Sequence, residues 1–312
     1  MAFRCADQAG APGTAHLTDA LWVAPPPGEM IVFDAVGTGG RDLFLLRLSD
    51  LSVTCIAATR DYEVMPSFAP DGKSLVYAAG VPGDRADHIF VCLLDGTGIK
   101  QLTKAHANDS WPRVSPDGTL VVFARDKTYN WGGLAAHWHA GGVICVVGVD
   151  GQNEHQITPD DTFAFGPWFL PNGKSVGYWT PSGMFSVPVD GSAAPTRLNG
   201  FAGAFGAIPC RDGSIFVYTR GKYENDQELW IANFDGTGER QVTSRKAAYR
   251  FPLLSRDNDV LYFQLGEWPD GPTGLPTRSL WRMNLNGTGL EKVAGSDLFD
   301  QPLTWKAKGG SG

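Results

Sequence analysis

The chain has 312 residues, 43% of them hydrophobic and 19% charged, with a formal net charge of −7 at pH 7. This composition excludes a disordered chain, and the acidic balance argues against a nucleic-acid partner, which needs a basic face. There is no apolar run of about 18 residues to insert in a membrane and no apolar signal region at the start. A cytoplasmic protein is expected, or a periplasmic one whose signal has been removed.

Glycine (39) and proline (21) are abundant, which announces many turns. The five cysteines (Cys5, Cys55, Cys92, Cys145, Cys210) form no C-x-x-C pair. Four of the five sit in apolar runs, which fits small buried hydrophobes in a reducing compartment.

In chain order, residues 1–28 form a leader or a partial closing blade. Two apolar runs follow, MIVFDAV from Met30 and LFLLRLSD from Leu43. A sharper pattern then recurs at Pro66 (PSFAPDGKSLVY), Pro112 (PRVSPDGTLVVF), Pro167 (PWFLPNGKSVGY), Ala207 (AIPCRDGSIFVY) and Pro252 (PLLSRDNDVLYF). A stub, PLTW, begins at Pro302. The average spacing is about 47 residues, the length of a repeat unit rather than a domain. Second halves match too: IFVCLLDGTGIKQLT from Ile89, ICVVGVDGQNEHQIT from Ile144, LWIANFDGTGERQVT from Leu229 and LWRMNLNGTGLEKV from Leu280. Residues 306–312 look like a flexible tail.

Each copy predicts four short strands, because alternation and β-branched or aromatic content favour strand over helix. Asp-Gly after the first and third strands supplies tight turns, since glycine takes positive φ at little cost and aspartate caps its own backbone. Four strands repeated around an axis make a propeller blade. The expected fold is an all-β propeller spanning residues 29–305, with six blades or, in a competing count, seven. The N- and C-terminal strands are expected to close the ring. Either Pro302–Trp305 supplies the first strand of the first blade, or Trp22-Val23 before Pro25-Pro-Pro-Gly28 does so and Pro302–Trp305 joins residues 1–20 in a seventh blade.

The P-x-x-S-P-D-G-K turn of these copies resembles the TolB-like, WD40-like (PD40) propeller repeat, over about residues 30–305. The resemblance implies the propeller fold. It leaves function open, because this repeat occurs in translocation proteins, in propellers fused to peptidases and in oligogalacturonate lyases.

Strand order places the Asp-Gly turns on one rim and the other connections on the opposite rim. The repetition of Asp71, Asp117, Asp212, Asp95, Asp150, Asp190 and Asp235 marks turn chemistry rather than catalysis. The irregular rim is the expected ligand face, with its long loops Arg125–Gly142, Arg220–Gln227 and Gly266–Arg278. Just ahead of the inner strands it should carry the ligand-binding candidates Glu63, Asp109, Trp111, Phe165, Phe205, Asp300 and Gln301. Aromatic platforms beside carboxylates suit a sugar or another small polar ligand. His137 and His139 point the same way in an extended segment and are candidate ligands for a divalent metal, with His106, Asp109 or Asp126 as a third. No G-x-S-x-G elbow, P-loop or H-E-x-x-H is present.

Two functions fit. One is a stand-alone binding module for a small polar or carbohydrate ligand, or for a protein partner. The other, implied by the resemblance to oligogalacturonate lyases, is an enzyme. Arg250 or a bound metal would neutralise a uronate carboxylate there, and His106 or Tyr249 would remove a proton. Lys222, Arg220, Lys246 and Arg250 would supply the positive patch.

Overall fold

A computed structural model describes residues 22–23, 30–36, 41–57, 62–81, 83, 86–127, 141–198, 201, 204–210, 214–221, 226–255, 258–267 and 277–294. The described residues form six four-stranded antiparallel sheets and no helix. Each sheet is one blade, with its first strand innermost. Blade 1 is Trp22–Val23, Met30–Val36, Arg41–Arg47 and Val53–Ala57. Blade 2 is Glu63–Phe68, Ser74–Gly80, Asp87–Leu93 and Lys100–Gln101. Blade 3 is Asn108–Val114, Leu120–Asp126, Val143–Gly148 and His155–Gln156. Blade 4 is Phe165–Phe169, Ser175–Thr180, Gly183–Pro188 and Thr196–Arg197. Blade 5 is Ala204–Pro209, Ile215–Arg220, Glu228–Asn233 and Arg240–Gln241, and blade 6 is Ala248–Leu254, Val260–Glu267, Thr277–Asn284 and Glu291–Ala294.

Strands buried on both faces hold the ring together, because each blade packs against two neighbours. In blade 2, Leu75, Tyr77 and Ala79 turn towards blade 1. The alternate residues Val76 and Ala78 turn towards blade 3. The ring closes in the same way, with Ile31, Phe33 and Phe44 of blade 1 packed on Leu253, Tyr262 and Leu280 of blade 6. Each such side chain removed from water contributes about 1.5–3 kcal/mol.

The first blade takes its inner strand from Trp22–Val23, paired with Val32 and Ile31. That is the placement the competing count required, yet the blade number stays at six. Pro302–Trp305 lies outside the described residues.

The repeated proline does not open the inner strand, as its place in the sequence pattern suggests, but interrupts it. Pro66, Pro112, Pro167, Ala207 and Pro252 all follow a shift in ladder register. Met65, Trp111 and Gly166, the residues just before three of these positions, have φ of 56°, 57° and 54°. Such a bulge leaves one position unpaired, so a proline without an N–H fits there. Glu63, Asp109, Phe165, Phe205, Tyr249 and Arg250 therefore lie on strands, ahead of the bulge, and Trp111 is a bulge residue itself. None of them is in a loop.

The second repeated signal, Gln-x-Thr, also has a structural cause. Thr103, Thr158 and Thr243 accept through Oγ1 an N–H near the start of their blade's third strand, from Ile89, Ile144 and Leu229 at 2.9, 2.8 and 3.0 Å. Gln101, Gln156 and Gln241 donate to the carbonyls of the same threonines. The pair ends the outer strands of blades 2, 3 and 5.

Candidate functional site

The two rims differ in chemistry. On the Asp-Gly rim the turn aspartates and asparagines among the described residues are consumed by their own turns. Asp71 accepts the N–H groups of Lys73 and Ser74 at 2.8 and 3.0 Å. Asp117 accepts the N–H and the hydroxyl of Thr119 at 3.0 and 2.8 Å, and the hydroxyl of Ser115 as well. Asp95, Asp235 and Asn286 repeat the arrangement with Thr97, Thr237 and Thr288. These bonds hold the Asp117 carboxyl below the usual carboxylate range. The glycines complete the turns. A Cβ on Gly96, whose φ is 79°, would stand 2.3 Å from the Ile56 carbonyl oxygen of blade 1.

The opposite rim, where inner strands begin and second strands end, gathers buried charge. Asp109 has no exposed surface and receives both Nε and Nη2 of Arg125, at 2.7 and 2.8 Å. Arg125 also pairs with Glu154. Burial raises the Asp109 carboxyl, and the guanidinium and the Thr103 hydroxyl partly offset it. Asp34 and Arg41 form a second buried pair in the seam between blades 1 and 2, and Asp34 also accepts the Met65 N–H at 3.3 Å. Tyr62 donates to Asp87, whose N–H is donated to Asn108 Oδ1 at 3.2 Å.

Of the residues singled out in the sequence, Glu63 and Asp109 stand at equivalent places, three before the bulge proline, and both are buried. Trp111 is half-buried, and its N–H is donated to Met65 Sδ at 3.3 Å. Phe165 is half-buried and pairs in the ladder with Trp179, and Phe205 pairs with Thr219. Tyr249 is 3% exposed, stacked edge-on against Phe263 at 5.4 Å. Burial raises its hydroxyl, while Arg245 and a hydrogen bond from the Thr243 side lower it. Tyr249 thus latches blade 6 to blade 5, as Asp109 meets Thr103 between blades 3 and 2. Arg250 is half-buried on the inner strand, and His106 is exposed in the connection ahead of blade 3. His137, His139, Asp300 and Gln301 lie outside the described residues. Among those described, no three His, Cys, Asp or Glu side chains gather to hold a metal.

The positive patch is largely neutralised. Arg220 pairs with Glu239 at 2.6 Å and lies 4.5 Å from the Trp230 ring centroid, and Lys246 pairs with Asp226 at 2.8 Å. Lys222 lies outside the described residues.

Sequence reading passed over Asp34, Asp42 and Gln264, all buried on this side of the ring. Their signal is a polar residue inside an apolar strand run, as in Val32-Phe-Asp34-Ala and Tyr262-Phe-Gln264-Leu. Asp42 is 4% exposed, and burial alone pushes its carboxyl up to about 6.

No family model matches the sequence. Solved structures do. A TolB-type protein from Agrobacterium tumefaciens is 21% identical with a TM-score of 0.59, over 82% of this chain and 89% of that one. TolB from Acinetobacter baumannii is 16% identical with a TM-score of 0.59, over 86% of this chain but 61% of that longer one. An oligogalacturonate lyase in complex with manganese is 16% identical with a TM-score of 0.63, over 94% of this chain and 84% of that one. The fold is the TolB-like propeller. At these identities the likeness carries the architecture, and the chemistry of the rim must be argued from this chain's own residues.

Proposed function

We propose that this TolB-like propeller is a binding module whose ligand meets the loop rim at the mouth of the channel. The contrast between the rims carries the reading. On one, side chains close their own turns. On the other, strand ends hold carboxylates and guanidinium groups in buried pairs beneath irregular connections. Such a rigid polar base with variable loops is how propellers and barrels present ligand sites. Arg250 is the anchor for an anionic group, because its planar fork pairs bidentately with a carboxylate or phosphate. Trp111 offers the stacking surface, held by its bulge.

Titration calorimetry with uronate oligosaccharides and with acidic tripeptides tests this reading. At least one probe is expected to bind, with Arg250→Ala weakening it at least about tenfold and Asp117→Ala leaving it unchanged. Binding that ignores Arg250→Ala and fails in folded Asp117→Ala would place the site on the wrong rim.

A second reading, an enzyme of the lyase type, is favoured by the extent of the likeness to the manganese-bound oligogalacturonate lyase. Arg250 would face the uronate carboxylate, and His106, exposed where Tyr249 is buried, would take the proton. A metal held by His137 and His139 would belong to this reading. Cleavage of uronate oligomers, followed at the absorbance of the unsaturated product, would establish it. Loss of turnover in His106→Ala with binding retained would assign the base.

A further inference from the structure

Among the described residues, three bulge positions take the left-handed backbone conformation. Blade 4 fills its position with Gly166, which has no side chain to clash, whereas blades 2 and 3 use Met65 and Trp111, at φ of 56° and 57°. A non-glycine residue keeps such a backbone only where its surroundings hold it, and residues held this way gather at ligand sites.

The bonds that hold these two begin in blade 1. Arg41 donates through Nε to Asp34 Oδ2 at 2.9 Å. The other oxygen, Asp34 Oδ1, accepts the N–H of Met65 in blade 2 at 3.3 Å. Met65 Sδ in turn accepts the N–H of Trp111 in blade 3, also at 3.3 Å. Asp34 and Met65 are 0% and 2% exposed, so these bonds form away from water, where they are strongest. Three consecutive blades are thus joined at their inner strands through one bulge after another.

A thioether is a weak acceptor, and its use here follows from the bulge. The ladder of blade 3 jumps from Ser110 to Arg113, which turns the Trp111 N–H away from its own second strand. An unbranched side chain from blade 2 can reach it. Met65 packs in that seam with Val76, Phe123 and Trp111. Trp111 also touches the seam on the other side of its blade, with Phe169 and Tyr178. Its ring therefore sits astride the inner edge of blade 3, and its attitude follows the bulge.

We infer that Met65 is a positioning residue for Trp111, and that the Arg41–Asp34 pair acts on Trp111 through it. Blade 1 thereby sets the attitude of a stacking surface two blades away. The inference rests on the reading that Trp111 meets the ligand at the mouth. A platform fixed at its backbone selects a ligand by the orientation of its ring, so losing the bond weakens binding without removing any atom that touches the ligand.

Amide hydrogen exchange of the full chain, resolved by residue, tests the inference together with titration calorimetry. Met65→Leu nearly keeps the volume and loses the acceptor. In it the Trp111 amide is expected to exchange at least about tenfold faster, while the amide of position 65, still taken by Asp34, stays slow. Asp34→Leu with Arg41→Met removes the buried pair without stranding a charge, and is expected to speed exchange at both Met65 and Trp111. The probe that binds the wild type is expected to bind Met65→Leu at least about threefold more weakly, and Met65→Leu is expected to add nothing once Trp111→Ala is in place. Unchanged protection of Trp111 in folded Met65→Leu would overturn the inference. So would a pair variant that frees the Met65 amide and leaves that of Trp111 slow, or a binding loss that persists on the Trp111→Ala background. Should neither probe bind, the function proposed above fails, and the exchange results alone decide the inference.

Discussion

Aspartates in this chain do opposite work according to the rim they occupy. Asp117 is exposed and spends its oxygens on Thr119 and Ser115. Asp117→Ala is expected to lower stability by about 0.5–2 kcal/mol, the loss of a capped turn, with binding by the folded fraction unchanged; chemical denaturation alongside titration checks both. Asp42 is buried without such partners, and its carboxyl rises from 3.8 to about 6 in the folded chain. A raised folded value means the folded state holds its proton longer than the unfolded one. The penalty is therefore absent below about pH 4, grows as pH climbs from 4 to 6 and is complete above that. Asp42→Asn is expected to stabilise the protein at pH 7.5 by about 1–3 kcal/mol and to flatten its stability between pH 4 and 6. Denaturant midpoints across that range measure it, and an unchanged slope would contradict the burial of this carboxyl.

At the scale of the strand, much was legible and some was misplaced. The Asp-Gly turns announced themselves because each is a local hydrogen-bond device with a fixed spacing, whereas the Gln-x-Thr endings stood in the sequence only as part of a repeated string. The proline was recognised but set at the strand's start, since a residue lacking an N–H ordinarily bounds a strand. The bulges at Met65 and Trp111 remove that objection, and neither residue type advertises positive φ. Tyr249 was read as a rim base for the same reason: its place in the pattern was clear, but its face depends on the bulge. The Asp109–Arg125 pair joins two strands of one blade, and its carboxylate meets Thr103 of the blade before. Arg125→Ala is expected to cost about 3–5 kcal/mol by stranding Asp109, and Asp109→Leu with Arg125→Met to recover most of it. Equal losses in the single and double variants, read in a denaturation cycle, would contradict that coupling.

Across the whole molecule, the repeat interval fixed the architecture before any side chain was placed, because a blade cannot bury its two faces alone. The blade count was harder to read, since the first copy is worn and its inner strand is two residues long. Function was the least legible level. The loops that distinguish this propeller from its neighbours are the part that repeats do not constrain. Stability is shared among six apolar seams, so the ring is expected to unfold in a single transition, with calorimetric and van't Hoff enthalpies in agreement. The claim on which the account turns is that one rim builds and the other binds. Crystals soaked with uronate oligosaccharides and acidic tripeptides test it most directly. Ligand density is expected on the loop rim, in contact with Arg250 or Trp111. Density on the Asp-Gly rim, or wholly outside the ring, would contradict the account.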